Sequence, residues 1–331
     1  MPSYKIKKLN FHDLDSVSTS NGIAADVSVL IDNNYPLDVN VPPLGFSVGV
    51  DNCQPSDPHI KLADATTQQL HVQPDTAVLV NVTGFVRHLP EAFLSACPGT
   101  PESPFDTLLG NYIRGKEATV YVSGSDSPSE NTPKWISDLA YGVTVPVSVP
   151  GRAMGSLIKN FTMSDVHFSL PDFFAEPDTP EAQPKISAQV KALIDLPEEM
   201  NFHVDVSRIR STADVFYHKK KLGVLDISKW HDATSKEVKE PGETHPDLLV
   251  MSHIEKAPLT ITNDSVFNEL VQALLTGSSE ILLTVKANVD VEMETPLGAL
   301  AVRQIPAEGY VPVKRTMILS FLQQWTKLMS S

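Results

Sequence analysis

Three sets of residues in this chain have the type and spacing to do chemistry: acids beside bases, a pair of thiols, and asparagines in glycosylation sequons. Asp165 and His167 stand two apart, which puts both on one face of a strand, and Trp230-His231-Asp232 sets a second acid beside a second base. General acid–base or triad chemistry would need a convergent nucleophile as well, and neither pair lies in a recognisable nucleophile motif, so solvated or structural roles are expected. The 10 histidines are scattered. None forms His-x-x-x-His, and no Cys-x-x-Cys occurs, so no metal centre is expected. Gly151-Arg152-Ala153-Met154-Gly155-Ser156 resembles a phosphate loop but lacks the Gly-Lys-Ser/Thr ending and reads as a turn. The expectation is a non-enzymatic chain with no catalytic residue, cofactor or metal.

Cys53 and Cys97 are the only cysteines. An even count permits one disulfide, and two buried or free thiols remain equally open. Sequons at Asn81-Val82-Thr83, Asn160-Phe161-Thr162 and Asn263-Asp264-Ser265 make Asn81, Asn160 and Asn263 candidate glycosylation sites, compatible with a secretory route.

The elements that position these residues are duplicated. Phe105-x-x-Leu108-Leu109-x-x-Tyr112-Ile113-x-Gly115 returns as Phe267-x-x-Leu270-Val271-x-x-Leu274-Leu275-x-Gly277, an offset of 162. Apolar residues at i, i+3, i+4, i+7 and i+8 define one stripe of a short helix. Ser103 and Ser265 each stand where a hydroxyl could cap the first turn, Pro104 suits the first helical position, and a glycine closes each copy. Leu30-Ile31-Asp32 likewise returns as Leu193-Ile194-Asp195, and Ile6-Lys7-Lys8-Leu9 loosely matches Leu157-Ile158-Lys159-Asn160. Two homologous domains follow. The helix stripes are read as core; the alternative is that Phe105, Leu109, Phe267 and Val271 line an apolar, lipid-binding groove.

Around the helices the period is two. Ala25, Val27, Val29 and Ile31, then Val78, Val80 and Val82, then Ile281, Leu283 and Val285 alternate with other residues, as half-buried strands do. The 26 prolines suit strand ends and edges. The class is mostly β, with two tandem sandwiches carrying one short helix each: a first domain over 1–124, a linker over 125–134 within the polar stretch Ser123 to Lys134, a second domain over 135–315, and an amphipathic tail over 316–331. His231 to Pro246 and Pro171 to Pro184 read as loops, and His218-Lys219-Lys220-Lys221 as a hairpin tip.

A formal net charge of −14 argues against nucleic acid or an anionic membrane surface as a partner. No run approaches the ~18 apolar residues needed to span a bilayer, and no signal peptide is recognisable at the start. The tail residues Met317, Ile318, Phe321, Leu322, Trp325 and Leu328 make an apolar helical face, expected to dock on the second domain; the alternative is that it lies on a membrane.

Val29 to Pro42 resembles the type 2 late-embryogenesis-abundant (LEA) domain, in which a strand ends in an Asn-Pro-like turn and resumes as an alternating strand. Asn33-Asn34-Tyr35-Pro36 stands here in place of an adjacent Asn-Pro. More specific are Trp135-Ile136-Ser137-Asp138-Leu139, Val145-Pro146-Val147, Asp165-Val166-His167-Phe168, Leu196-Pro197-Glu198-Glu199-Met200-Asn201-Phe202 and Ile305-Pro306-Ala307-Glu308-Gly309. Together they resemble the last two lumenal domains of the fungal vacuolar-membrane protein family required to terminate autophagy in prolonged starvation. Some members carry an older label as pre-rRNA processing proteins. The resemblance covers about Tyr4 to Lys314. It implies Ig-like sandwiches on the lumenal side of the vacuolar membrane, and an interaction or sensing role that reaches an autophagy-initiating kinase and TOR signalling. It also implies an N-terminal anchor elsewhere in a longer protein, and as partners another protein or other lumenal domains.

Overall fold

The computed structural model describes residues 3–14, 22–125, 132–151, 158–169, 183–239, 245–276 and 281–313, with 176, 179 and 242. The chain divides into two units. The first comprises Met1–Gly155 with Pro197–His203 and Thr295–Gly298; the second comprises Ser156–Leu196, Val204–Glu294 and Ala299–Ser331.

Unit 1 runs β1 (Tyr4–Asp13), β2 (Ile23–Ile31), β3 (Val39–Val41), β4 (Gly45–Val50), β5 (Ile60–Thr67), β6 (Leu70–Val72), β7 (Val78–Val86), α1 (Glu91–Leu94), α2 (Pro104–Ile113), β8 (Ala118–Gly124), α3 (Lys134–Tyr141) and β9 (Thr144–Val149). Unit 2 follows with β10 (Ile158–Ser169) and β11 (Lys185–Ile194). β12 (Met200–Asn201) belongs to unit 1, and unit 2 resumes with β13 (Asp205–Tyr217), β14 (Lys220–Val238), β15 (Asp247–Ile261), α4 (Asp264–Thr276), β16 (Ile281–Thr295) and β17 (Gly298–Val313).

The sheet of unit 1 has the order β12-β1-β2-β7-β5-β4-β8-β9, with β3 and β6 as a separate ribbon; unit 2 is a closed barrel, β10-β11-β15-β14-β13-β16-β17. Without β3, β6 and β12, both units lay their strands down in one succession: first, second, fifth, fourth, third, sixth, seventh. In both, a helical segment lies in the connection from the fifth strand to the sixth; unit 1 differs from the expected single short helix, with α1 and α2 there and α3 between its sixth and seventh strands. This Greek-key succession is also that of immunoglobulin strands A-B-E-D and C-F-G.

The expected pair of sandwiches is corrected to two continuous sheets, one curled into a half-barrel and one closed. A sandwich leaves its fourth and third strands in different sheets. Here those strands are hydrogen-bonded, β5 to β4 (Gly45 opposite Thr66) and β14 to β13 (Ala213 opposite Leu225), so neither unit opens at that edge. Unit 2 closes by a parallel contact of β10 with β17, Thr162 opposite Tyr310. Gly309 makes the close approach feasible: a Cβ there would lie 2.3 Å from the Phe161 ring and 2.9 Å from the Phe161 carbonyl oxygen.

Strand pairing also adjusts the repeat. Tyr4 stands opposite Ile31 and Ile158 opposite Ile194, so Tyr4 rather than Ile6 or Lys7 is the counterpart of Ile158. The expected linker does not separate the units. Ser123 and Gly124 belong to β8, and β9 returns to pair with it over Ala118–Ser123, which places residues 135–149 in unit 1.

The stretch from His231 is a strand as far as Val238, not a loop, paired with β15 from Ala233 opposite Ser252 to Val238 opposite Asp247. Ala233 and Val238 apart, its side chains are polar on both faces, so no apolar alternation marks it and backbone hydrogen bonds carry the pairing. His218 and Lys219 do form the hairpin tip between β13 and β14, both at positive φ, as a two-residue hairpin turn requires. Most of Pro171 to Pro184, residues 152–157 of the glycine-rich stretch and the tail beyond Val313 lie outside the described residues.

The barrel is filled rather than hollow. Met163, Val166, Ala188, Val190, Val215, Leu225, Ile254, Leu259, Val285 and Val311 are buried in one cluster with Val266 and Leu270 of α4. Unit 1 has a smaller centre at Val50, Ile60 and Phe93, against which Leu62, Phe105, Leu108 and Val120 pack.

Candidate functional site

The helical connection of unit 1 is built by local chemistry. Ser103 accepts from the Asp106 amide at 3.1 Å, and the Asp106 carboxylate accepts from the Ser103 amide at 2.9 Å, a reciprocal cap on α2. Gly115, at φ 71°, takes the left-handed position that ends it. Phe105 meets Phe93 edge to face at 5.5 Å, and the Cys53–Cys97 disulfide ties the turn after β4 to the turn between α1 and α2, its Cα atoms 5.4 Å apart.

In unit 2 the cap of α4 differs from expectation. Ser265 lies inside the helix, and Asn263 accepts from the Val266 amide at 3.2 Å instead, because the helix begins at Asp264, three residues before Phe267. Val266 and Leu270 are the buried residues of α4, with Phe267 packed partly against the same core. Leu109 and Val271 are half-buried. The side chains of Ile113, Leu274 and Leu275, and Gly277, lie outside the described residues.

Asp165 and His167 are exposed at a bulge of β10, where the register shifts between Ser164 and His167 and Asp165 takes φ 51°. Trp230 lies in a bulge of β14 between the pairs Ile209–His231 and Ser211–Ile227. There it receives the guanidinium groups of Arg208 and Arg210 at 5.6 and 4.6 Å from its ring centre. Arg208 is held by both Glu292 oxygens (2.5 and 2.7 Å), which raise its pKa, and Arg210 donates to Asp290 at 2.9 Å. Together they form a cation–π and ion-pair cluster. Among the described residues no group of three or more His, Cys, Asp or Glu side chains could hold a metal ion, and no helix is long and apolar enough to cross a membrane.

Further contacts had no local sequence signal. His59 stacks on Tyr121 at 3.6 Å between ring centres, beside Asp51, whose hydrogen bond with the Tyr121 hydroxyl raises that pKa. Tyr112 donates to buried Glu199, and Lys159 binds buried Asp247 at 2.8 Å. Trp135, Tyr141, Val143 and Val145 leave an exposed apolar run along α3 and β9.

Such a molecule is a mostly β protein of two β bodies, a curled half-barrel sheet and a closed barrel of seven strands, with few short helices and a disulfide in the first unit. Residues 200–314 match the family model described as the Tag1 C-terminal domain. No curated protein matches significantly. Among solved structures, an anti-sigma factor domain-containing protein from Clostridium clariflavum is 10% identical, with 90% of each chain covered and a TM-score of 0.15. The BSP domain of a biofilm-associated protein is 8% identical, covering 93% of this chain and 59% of its own, also at 0.15.

Proposed function

We propose that the chain is a non-enzymatic interaction or sensing module, on the lumenal side of the vacuolar membrane, of a protein that ends autophagy in prolonged starvation. The observation that carries this reading is the match of residues 200–314 to the Tag1 C-terminal domain. The Cys53–Cys97 disulfide supports it, since such bonds persist in oxidising compartments and are rare in the cytosol. The finer reading of each unit as a derivative of the LEA type 2 sandwich is supported by the shared immunoglobulin-like strand succession. The partner is another protein or a further lumenal domain of the same protein. The filled cores beneath Phe105 and Phe267 favour this role over lipid binding.

The test is autophagic flux in cells whose own copy lacks residues 200–314. Continued flux late in starvation, restored to normal by the intact chain, supports the proposal; normal termination without the segment overturns it. Protease protection in sealed vacuoles checks the side of the membrane.

A further inference from the structure

The three sequons occupy different structural positions. Asn160 and Thr162 are both exposed on β10 and alternate with Phe161, which packs partly against the barrel core. Lys159, at the register shift between Ile158 and Asn160, turns instead to Asp247. Asn263 and Ser265 are exposed at the start of α4. The cap there uses Oδ1 of Asn263, whereas a glycan is attached through Nδ2, so a sugar and the cap are compatible on one side chain.

Asn81 is different. It lies half-buried in β7, which is paired with β2 from Ile23–Val86 to Ile31–Val78 and with β5 on its other side. Its Oδ1 accepts from Ser28 Oγ at 2.8 Å, its carbonyl accepts from the Gln68 amide at 3.0 Å, and the sequon hydroxyl of Thr83 donates to Asp26 at 3.0 Å. The Oδ1 bond leaves Nδ2 free, as at Asn263; what sets Asn81 apart is that Asn81, Val82 and Thr83 are all half-buried on a strand paired on both sides, whereas Asn160, Thr162, Asn263 and Ser265 are exposed.

We propose that Asn160 and Asn263 carry N-linked glycans and that Asn81 does not, an inference that rests on the lumenal reading above. The donor is a lipid diphosphate-linked oligosaccharide supplied by the secretory route. Nδ2 of the asparagine forms a bond to C1 of the reducing-end sugar as the bond from C1 to the diphosphate oxygen breaks. The lipid diphosphate leaves with the electron pair, and a base of the transferase takes the amide proton.

The test directs the full chain into a yeast secretory route behind a cleavable leader and reads intact mass before and after endoglycosidase. Two glycans are expected. Asn160→Gln and Asn263→Gln should each remove one, the double variant both, and Asn81→Gln none. Thr162→Ala and Ser265→Ala should repeat the losses while keeping the asparagines, and with them the α4 cap. A glycan left on the double variant, or none at either site in the parent chain, overturns the assignment. Glycans on the leader-directed chain but none on the protein at its own cellular address would support the assignment and overturn the lumenal reading.

Discussion

The hydroxyl of Tyr4 accepts from the Ser148 amide at 2.7 Å and donates to the Ser148 carbonyl at 3.3 Å. Tyr4 lies on β1 and Ser148 on β9, the first and seventh strands of the succession, whose counterparts β10 and β17 close the barrel of unit 2 through Thr162 and Tyr310. In unit 1 a side chain bridges the gap that backbone pairing spans in unit 2.

Tyr4→Phe should therefore cost about 1 kcal/mol, the usual net worth of a hydrogen bond, with the ring still in place. Hydrogen exchange at the Ser148 amide should speed up while β13 to β16 stay unchanged. Unchanged exchange at Ser148 would mean the bridge contributes nothing.

The disulfide joins residues 44 apart in sequence, and both lie in unit 1. Closing a loop of that length restricts the unfolded chain by about 4 kcal/mol in the entropy model, and ~2–4 kcal/mol is typical. Cys53→Ser with Cys97→Ser should lower the melting transition of unit 1 and leave that of unit 2 in place. A single transition falling as a whole would show that the two units unfold together.

Leu270 is buried on α4 at 4% exposure. Leu270→Ala should remove a core side chain and cost about 2–5 kcal/mol. If the stripe lined a lipid groove, the truncation would cost much less and would alter lipid extraction. Thermal unfolding and a lipid-extraction assay on this variant separate the two readings.

The Tyr121 hydroxyl is held protonated by Asp51: the hydrogen bond comes first, then burial, then the carboxylate's charge. A raised folded pKa means the contact is fully present below the unfolded value of about 10 and is lost as pH rises through the folded one. Asp51→Asn should shift Tyr121 ionisation downward, read by ring-carbon NMR titration. An unmoved titration would remove Asp51 as the cause.

Much of the fold was legible because local signals agreed with the tertiary outcome. The apolar stripe of α2, its Ser103 cap and its Gly115 stop all lie within a few residues of one another, and β2, β7 and β16 alternate visibly. Alternation says which side chains share a face but not which strand is the neighbour. The join of β5 to β4 that turns a sandwich into a curled sheet was therefore hidden, as was the return of β9 to β8 across a polar stretch. The strand after His231 was missed because neither of its faces is apolar. The cysteines and sequons could be read as motifs. The grouping of Asp51, His59 and Tyr121 could not, since only pairing of β4 with both β5 and β8 brings them together.

β12 has a consequence for the birth of the protein. Met200 and Asn201 pair with Phe11 and His12, and the Phe11 amide donates to Glu199, so the edge of β1 is covered by residues made almost two hundred positions later. On a ribosome adding roughly 5–20 residues each second, that edge stays bare for about ten seconds or more after β1 emerges. Until then the growing chain presents a strand edge able to template pairing with a neighbouring nascent chain. Completion of the first sheet thus waits on synthesis well into the second repeat.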